Sequence, residues 1–162
     1  LYVENDIRFT EGLNMGEDMM VMMKLFICAG KVGIVHRPFY HYRQSNPESL
    51  TKIYSQEHII QVANNVYEVE KYVNASAYAD SLIEFIPFLK LNIKLPLLIT
   101  DDKSHYEQWL ECFPEANCYV MNNKLLPLRT RIIQWMAVKR YFILLRLYYR
   151  TVFKLVYGII YK

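Results

Sequence analysis

The chain has 162 residues and a mass of 19.4 kDa, with 53% of its residues apolar and 15% aromatic. That length holds one domain, or one and a half small ones, and that much apolar surface excludes a disordered tail. Three cysteines, Cys28, Cys112 and Cys118, are odd in number and widely spaced, which excludes a disulfide scaffold and suits a reducing compartment. No Cys-x-x-Cys pair is present to anchor a structural zinc site.

The net charge of +3 is unevenly spread. Residues 1–115 carry 10 Lys/Arg against 16 Asp/Glu, whereas residues 116–162 carry nine Lys/Arg and no acid. The split predicts an acidic body with a basic arm directed at something anionic. No apolar run approaches the roughly 18–20 residues that a membrane span needs. The chain opens on Leu1 with no basic-then-apolar leader, so no signal peptide is expected.

In chain order, residues 1–10 read as extended or irregular. Asn14 with Glu17 three residues later resembles a capping box, and the Met- and Leu-rich run Met19 to Ala29 reads as the helix it opens, with Gly30 as its stop. Five methionines (Met15, Met19, Met20, Met22, Met23) crowd this stretch, as core or as an adaptable surface prone to self-association. Val32-Gly33-Ile34-Val35 reads as a short buried strand. Residues 38–44 alternate as a second extended segment, with Phe39, His41 and Arg43 on one face. Ser45 to Ser49 has the composition of a turn.

From Ser55 the period becomes helical: Ile59, Val62, Ala63, Val66, Val69 and Val73 form an amphipathic stripe. A second helix is expected from about Ala75 to Leu89, interrupted by Pro87, and a third from Ser104 to Cys112, stopped before Pro114. Pro127 then precedes a long apolar and basic segment. Wound as one helix, it places Lys139, Arg146, Arg150 and Lys154 within about an 80° sector, with aromatic and aliphatic residues over much of the rest. A helix of this kind fits the interface of an anionic membrane, and the plain alternative is a helix docked on its own protein. Nucleic acid is not expected as a partner, because the apolar face is too continuous and no nucleic-acid motif is present.

Two groups of residues bear on chemistry. Glu17 and Asp18 fall in the first turn of the expected helix, where acids complement the macrodipole by roughly 0.3–1 kcal/mol each. A carboxylate fixed there also suits a general base that takes a proton from a hydroxyl, and composition alone leaves both readings open. His41 is either a hydrogen-bonded structural histidine or, with Arg43 beside it, a contact to phosphate or metal.

The ordered set Arg8-Phe9-Thr10-Glu11-Gly12-Leu13-Asn14-Met15-Gly16-Glu17-Asp18, Leu25-Phe26, Ala29, Ile34, Pro38 to Gln44 and Ser49-Leu50-Thr51 closely resembles family 2 glycosyltransferases of bacterial surface-polysaccharide synthesis. The resemblance covers about the first third of the chain, and the basic aromatic tail from Leu126 looks like the C-terminal extension of many such enzymes. It implies a GT-A fold and an inverting transfer of sugar from a nucleotide-sugar donor to a glycan or lipid-linked acceptor. Asp18 would be the base, Glu17 its neighbour at the acceptor, and His41 and Arg43 contacts to diphosphate or metal. A divalent cation, Mn or Mg, would be the cofactor.

The sequence departs from the family in having no Asp-x-Asp motif; Asp101-Asp102 is adjacent and lies after the Glu-Asp motif. The resemblance therefore implies the C-terminal part of the enzyme, silent without a nucleotide-binding half that would carry the main metal ligands. The expected fold is α+β and helix-dominated: residues 1–52 as the end of a GT-A domain, 53–125 as a helical region and 126–162 as a basic amphipathic tail. The expected place is cytoplasmic, peripheral at the inner face of the membrane. The competing expectation is a non-enzymatic helical module that binds a membrane or a protein partner through its tail.

Overall fold

Methionine, leucine and valine spaced three and four apart decide where the first helices form. In the computed structural model, which describes residues 1–41 and 56–157, helix α1 spans Glu17–Cys28 and helix α2 spans Gln56–Asn74. Both agree closely with the expected stretches. On α2 the stripe is buried as read: Val66, Val69 and Val73 are almost fully enclosed, each contributing roughly 1.5–3 kcal/mol of hydrophobic stabilisation. On α1, Met20 and Val21 are buried, while Met22 and Phe26 stay half exposed. The methionine cluster is thus core on one side and surface on the other.

The start of α1 differs from the capping-box expectation. Gly16, not Asn14, stands at the N-cap, with φ 80° and no side-chain cap. The Asn14 N–H donates instead to the Gln61 side chain on α2, at 3.0 Å. A glycine can hold the left-handed conformation that lets the chain turn into the helix there. The helix ends where Ala29 becomes extended, without a left-handed Gly30.

The β part of the α+β expectation is corrected: the described residues contain helices and turns and no strand. Residues 32–35 are exposed rather than buried, and so are Pro38 to His41. An apolar run becomes a strand only when a neighbouring strand takes up its N–H and C=O groups, and the described residues supply none. Tyr42 to Ser55, which include Arg43, the expected turn and the Leu50-Thr51 end of the resemblance, lie outside the described residues.

The chain divides into two compact units, Leu1–Leu82 and Ile83–Lys162. The first holds α1 and α2, followed by turns and a short 3-10 helix, Asp80–Leu82. The second begins with helix α3, Phe85–Ile93, rather than at Ala75. Pro87 lies inside its first turn, where backbone N–H groups have no partner within the helix, so proline opens α3 instead of interrupting it. A 3-10 helix, Leu95–Leu98, leads to helix α4, Lys103–Glu111, where the Asp102 carboxylate accepts from the Ser104 N–H at 2.9 Å as a regular N-cap. After Phe113 in the left-handed region comes a 3-10 helix, Pro114–Tyr119. The core gathers Ile86, Leu91, Leu97, Tyr106, Trp109 and Phe113.

The basic segment is not one helix. Helix α5 spans Leu128–Val138, Arg140 takes φ 57°, helix α6 spans Phe142–Tyr148, and residues Tyr149–Tyr157 wind as a π-helix. Arg140 in the left-handed region stops α5, so Lys139 does not share a helix with Arg146, Arg150 and Lys154, and the single 80° sector is corrected. Those three are all exposed and belong to α6 and the π-helix. Four residues slightly exceed an α-turn and fall short of the wider π-turn, so the three still share a side.

Candidate functional site at the start of helix α1

The two acids sit where the sequence puts them, in the first turn of α1. Glu17 is partly buried and Asp18 is exposed. Asp18 Oδ1 accepts the Met19 N–H at 2.7 Å, which orients the exposed carboxylate. A hydroxyl approaching from solvent can reach this carboxylate.

What fixes this turn is a polar row on α2 that sequence reading missed. Gln61, Asn65, Glu68 and Tyr72 recur at spacings of four, three and four beside the valine stripe. Such a row reads as a solvated face; in the structure each member engages α1 or the loop before it. Gln61 Oε1 accepts from the Asn14 N–H, and fully buried Asn65 donates to the Met15 carbonyl at 2.8 Å. Glu68 lies 3.7 Å from the Lys24 ammonium, and the Tyr72 hydroxyl is 2.8 Å from Cys28 Sγ. Residue numbers rise together along both helices, so α1 and α2 run in the same direction.

Gln61 and Asn65 therefore hold the loop that delivers Glu17 and Asp18. The Cys28 hydrogen bond, burial and the nearby Cys28 charge push the Tyr72 phenol up to about 12, so this end of the seam keeps its proton across the working pH range. Cys28 and Tyr72 also border a hollow of about 380 Å³, together with Ile27, Ala75 and Ser76. The hollow is open and mostly apolar, and it lies at the opposite end of α1 from the acids.

His41 is exposed, and Arg43 lies outside the described residues. Among the described residues no group of three or more His, Cys, Asp or Glu side chains could hold a metal ion. His41 supplies at most one donor, which by itself does not make a complete cation site.

In the tail, Lys139 caps α5, and Arg150 reaches Asp101 at 3.3 Å. Arg140 Nη1 contacts both Glu107 oxygens, at 3.2 and 2.9 Å. Both pairs are substantially exposed, and pairs of that kind contribute little. Among the described residues no helix is long and apolar enough to cross a membrane. Compared with family models, with curated proteins and with solved structures, the chain matches none.

Proposed function

We propose that this chain is the acceptor-side, C-terminal part of an inverting nucleotide-sugar-dependent glycosyltransferase, with Asp18 as the base. The observation that carries the reading is the Glu17-Asp18 pair in the first turn of α1, its loop fastened to α2 and the Asp18 carboxylate open to solvent. The resemblance of its ordered motif set to family 2 enzymes supports it. In the step it would serve, Asp18 takes the proton of an acceptor hydroxyl while that oxygen bonds to the anomeric carbon. The bond from that carbon to the donor phosphate breaks, and the nucleoside diphosphate leaves with the electron pair.

The acceptor of this reading is a glycan or a lipid-linked sugar, and the protein works peripherally at the inner face of a membrane. The basic stretch after residue 115, with no acid in it, supports that placement. The test is Asp18→Asn in the uninterrupted protein that carries this chain. Release of nucleoside diphosphate should fall on the order of 10²–10⁴-fold, with the unfolding midpoint unchanged. Turnover that survives the substitution would overturn the assignment, and so would sugar transfer by residues 1–162 alone. The second reading, a non-enzymatic module seated on a membrane, is favoured by the apolar outer faces of α5 and α6, and for it the substitution changes nothing.

A further inference from the structure

Helix α5 carries apolar residues on both sides and leaves one of these sides in solvent. At 3.6 residues per turn, Leu128, Ile132, Trp135 and Lys139 fall within about 60° of one another, and this is the solvent side: the first three are 56%, 43% and 38% exposed. The opposite side points inward with Thr130, Ile133, Gln134 and Ala137, and Gln134 is fully buried, donating to the Leu91 carbonyl at 3.0 Å. A helix of a water-facing protein buries its apolar side and solvates its amides. Helix α6 continues the pattern: Leu145 is buried, while Ile143 and Leu147 face out beside Arg146. Tyr141, itself half exposed, sets its ring edge against Trp135 at 5.7 Å between centroids, joining the two outer faces.

We propose that this outer face, with Leu128, Ile132 and Trp135 at its centre and Ile143 and Leu147 beside it, lies in the interfacial layer of an anionic lipid bilayer. Charge selects the occupant. Nine Lys/Arg and no acid lie between residues 116 and 162; Arg140 and Arg150 pair with Glu107 and Asp101, while Lys139 shares the outer side of α5 and Arg146 lies between Ile143 and Leu147 on α6. A second copy meeting this face would bring the same positive surplus, whereas phosphate headgroups neutralise it. Tryptophan and tyrosine belong at that depth, because one end of each ring system is apolar and the other is polar. The inference rests on the membrane-surface reading and adds to it the residues that enter the lipid, which are not the basic residues on which the sequence pattern drew attention.

The experiment titrates the full chain with vesicles of phosphatidylcholine alone and of phosphatidylcholine with phosphatidylglycerol. The chain has two tryptophans, Trp109 fully buried and Trp135 exposed, so quenching by lipid brominated in the upper acyl chain reports Trp135. The anionic vesicles should bind and quench, the neutral ones should bind at least tenfold more weakly, and Ile132→Glu should weaken anionic binding at least tenfold. Removing one cation by Lys139→Gln should weaken it about fivefold. Absence of any vesicle binding overturns both this inference and the membrane-surface reading. Binding with Trp135 unquenched and Ile132→Glu unaffected overturns this inference alone. A concentration-dependent dimer in sedimentation that Ile132→Glu abolishes assigns the face to a second copy and overturns it as well. The quenching arm needs no substitution, so the test stands even if a variant fails to fold.

Discussion

Lys94 is fully buried at the end of α3, and its ammonium is the hub of the second unit. Its three N–H groups are shared among four acceptors, the carbonyls of Trp109, Cys112 and Phe113 at 3.1, 2.7 and 3.3 Å and the Asn117 side chain at 2.5 Å, and it lies 4.0 Å from the Trp109 ring centre. These contacts fasten the end of α4 to the turn at Phe113. Burial opposes them: it pulls the amine from 10.5 down to about 8, with the nearby Cys112 and Glu115 charges resisting the fall.

Replacing Lys94 by Met sets the two effects against each other. The Phe113 carbonyl keeps the Ala116 N–H at 3.0 Å, so three acceptors lose the donor the structure gives them, at about 1–3 kcal/mol each. Relief of the buried charge returns about 3 kcal/mol at pH 7. The net expectation is a loss of about 3 kcal/mol at that pH.

The pH dependence separates the terms. Between pH 8 and 10.5 the unfolded chain holds a proton on this amine that the folded chain has released, so the unfolded state binds more protons and stability from this group rises with pH. The Met variant has no such group. Its deficit should therefore widen by about 2 kcal/mol between pH 7 and pH 9.5. Both tryptophans lie in the second unit, so urea unfolding followed by tryptophan fluorescence reads that unit. A deficit equal at the two pH values would refute the account of a desolvated amine. A variant more stable than the parent at pH 7 would refute the account of dependent carbonyls.

Two further predictions concern the loop that carries the acids. Asn65→Leu removes the donor to the Met15 carbonyl and should destabilise the first unit by about 1–2 kcal/mol, read as faster hydrogen exchange across α1; unchanged exchange would mean that the loop is held by other contacts. At Gly16, an added Cβ would meet Val62 Cγ2 at 3.6 Å, ordinary contact, so the cost of Gly16→Ala is backbone strain of about 1–2 kcal/mol. Gly16→Asn, though larger, should cost less, because asparagine tolerates the left-handed region; the reverse order in urea unfolding would place the cost in packing.

The helices with a strong apolar period and a clear stop were legible in the sequence. Met19 to Ala29, the valine stripe from Ile59 and Ser104 to Cys112 all became helices at nearly the expected places. Failure came where one local signal had two physical outcomes. Pro87 reads as a breaker, yet in a first turn it is harmless. Asn14 and Glu17 have capping-box spacing, but the turn is made by Gly16, whose left-handed backbone no spacing rule reveals. Val32 to Val35 has strand composition, which sets a preference but cannot supply the neighbour that a strand needs.

The candidate site divides in the same way, into what chain-neighbours determine and what only tertiary contact determines. That Glu17 and Asp18 open a helix follows from residues within a few positions, so it could be read directly. That the loop ahead of them is pinned by Gln61 and Asn65 depends on residues some 50 positions away, whose polar spacing alone looks like a solvated surface. The tail shows the converse. Its basic residues stood out because charge is visible in a sequence, while the outward turn of Leu128, Ile132 and Trp135 was hidden, since periodicity gives the faces of a helix but not which of them meets the core. Gln134 decides it: an amide enclosed against the Leu91 carbonyl fixes the rotation of α5 and leaves one apolar side facing out. A buried polar group with one specific partner thus sets the orientation of a helix that is apolar on both sides, where hydrophobicity by itself does not decide.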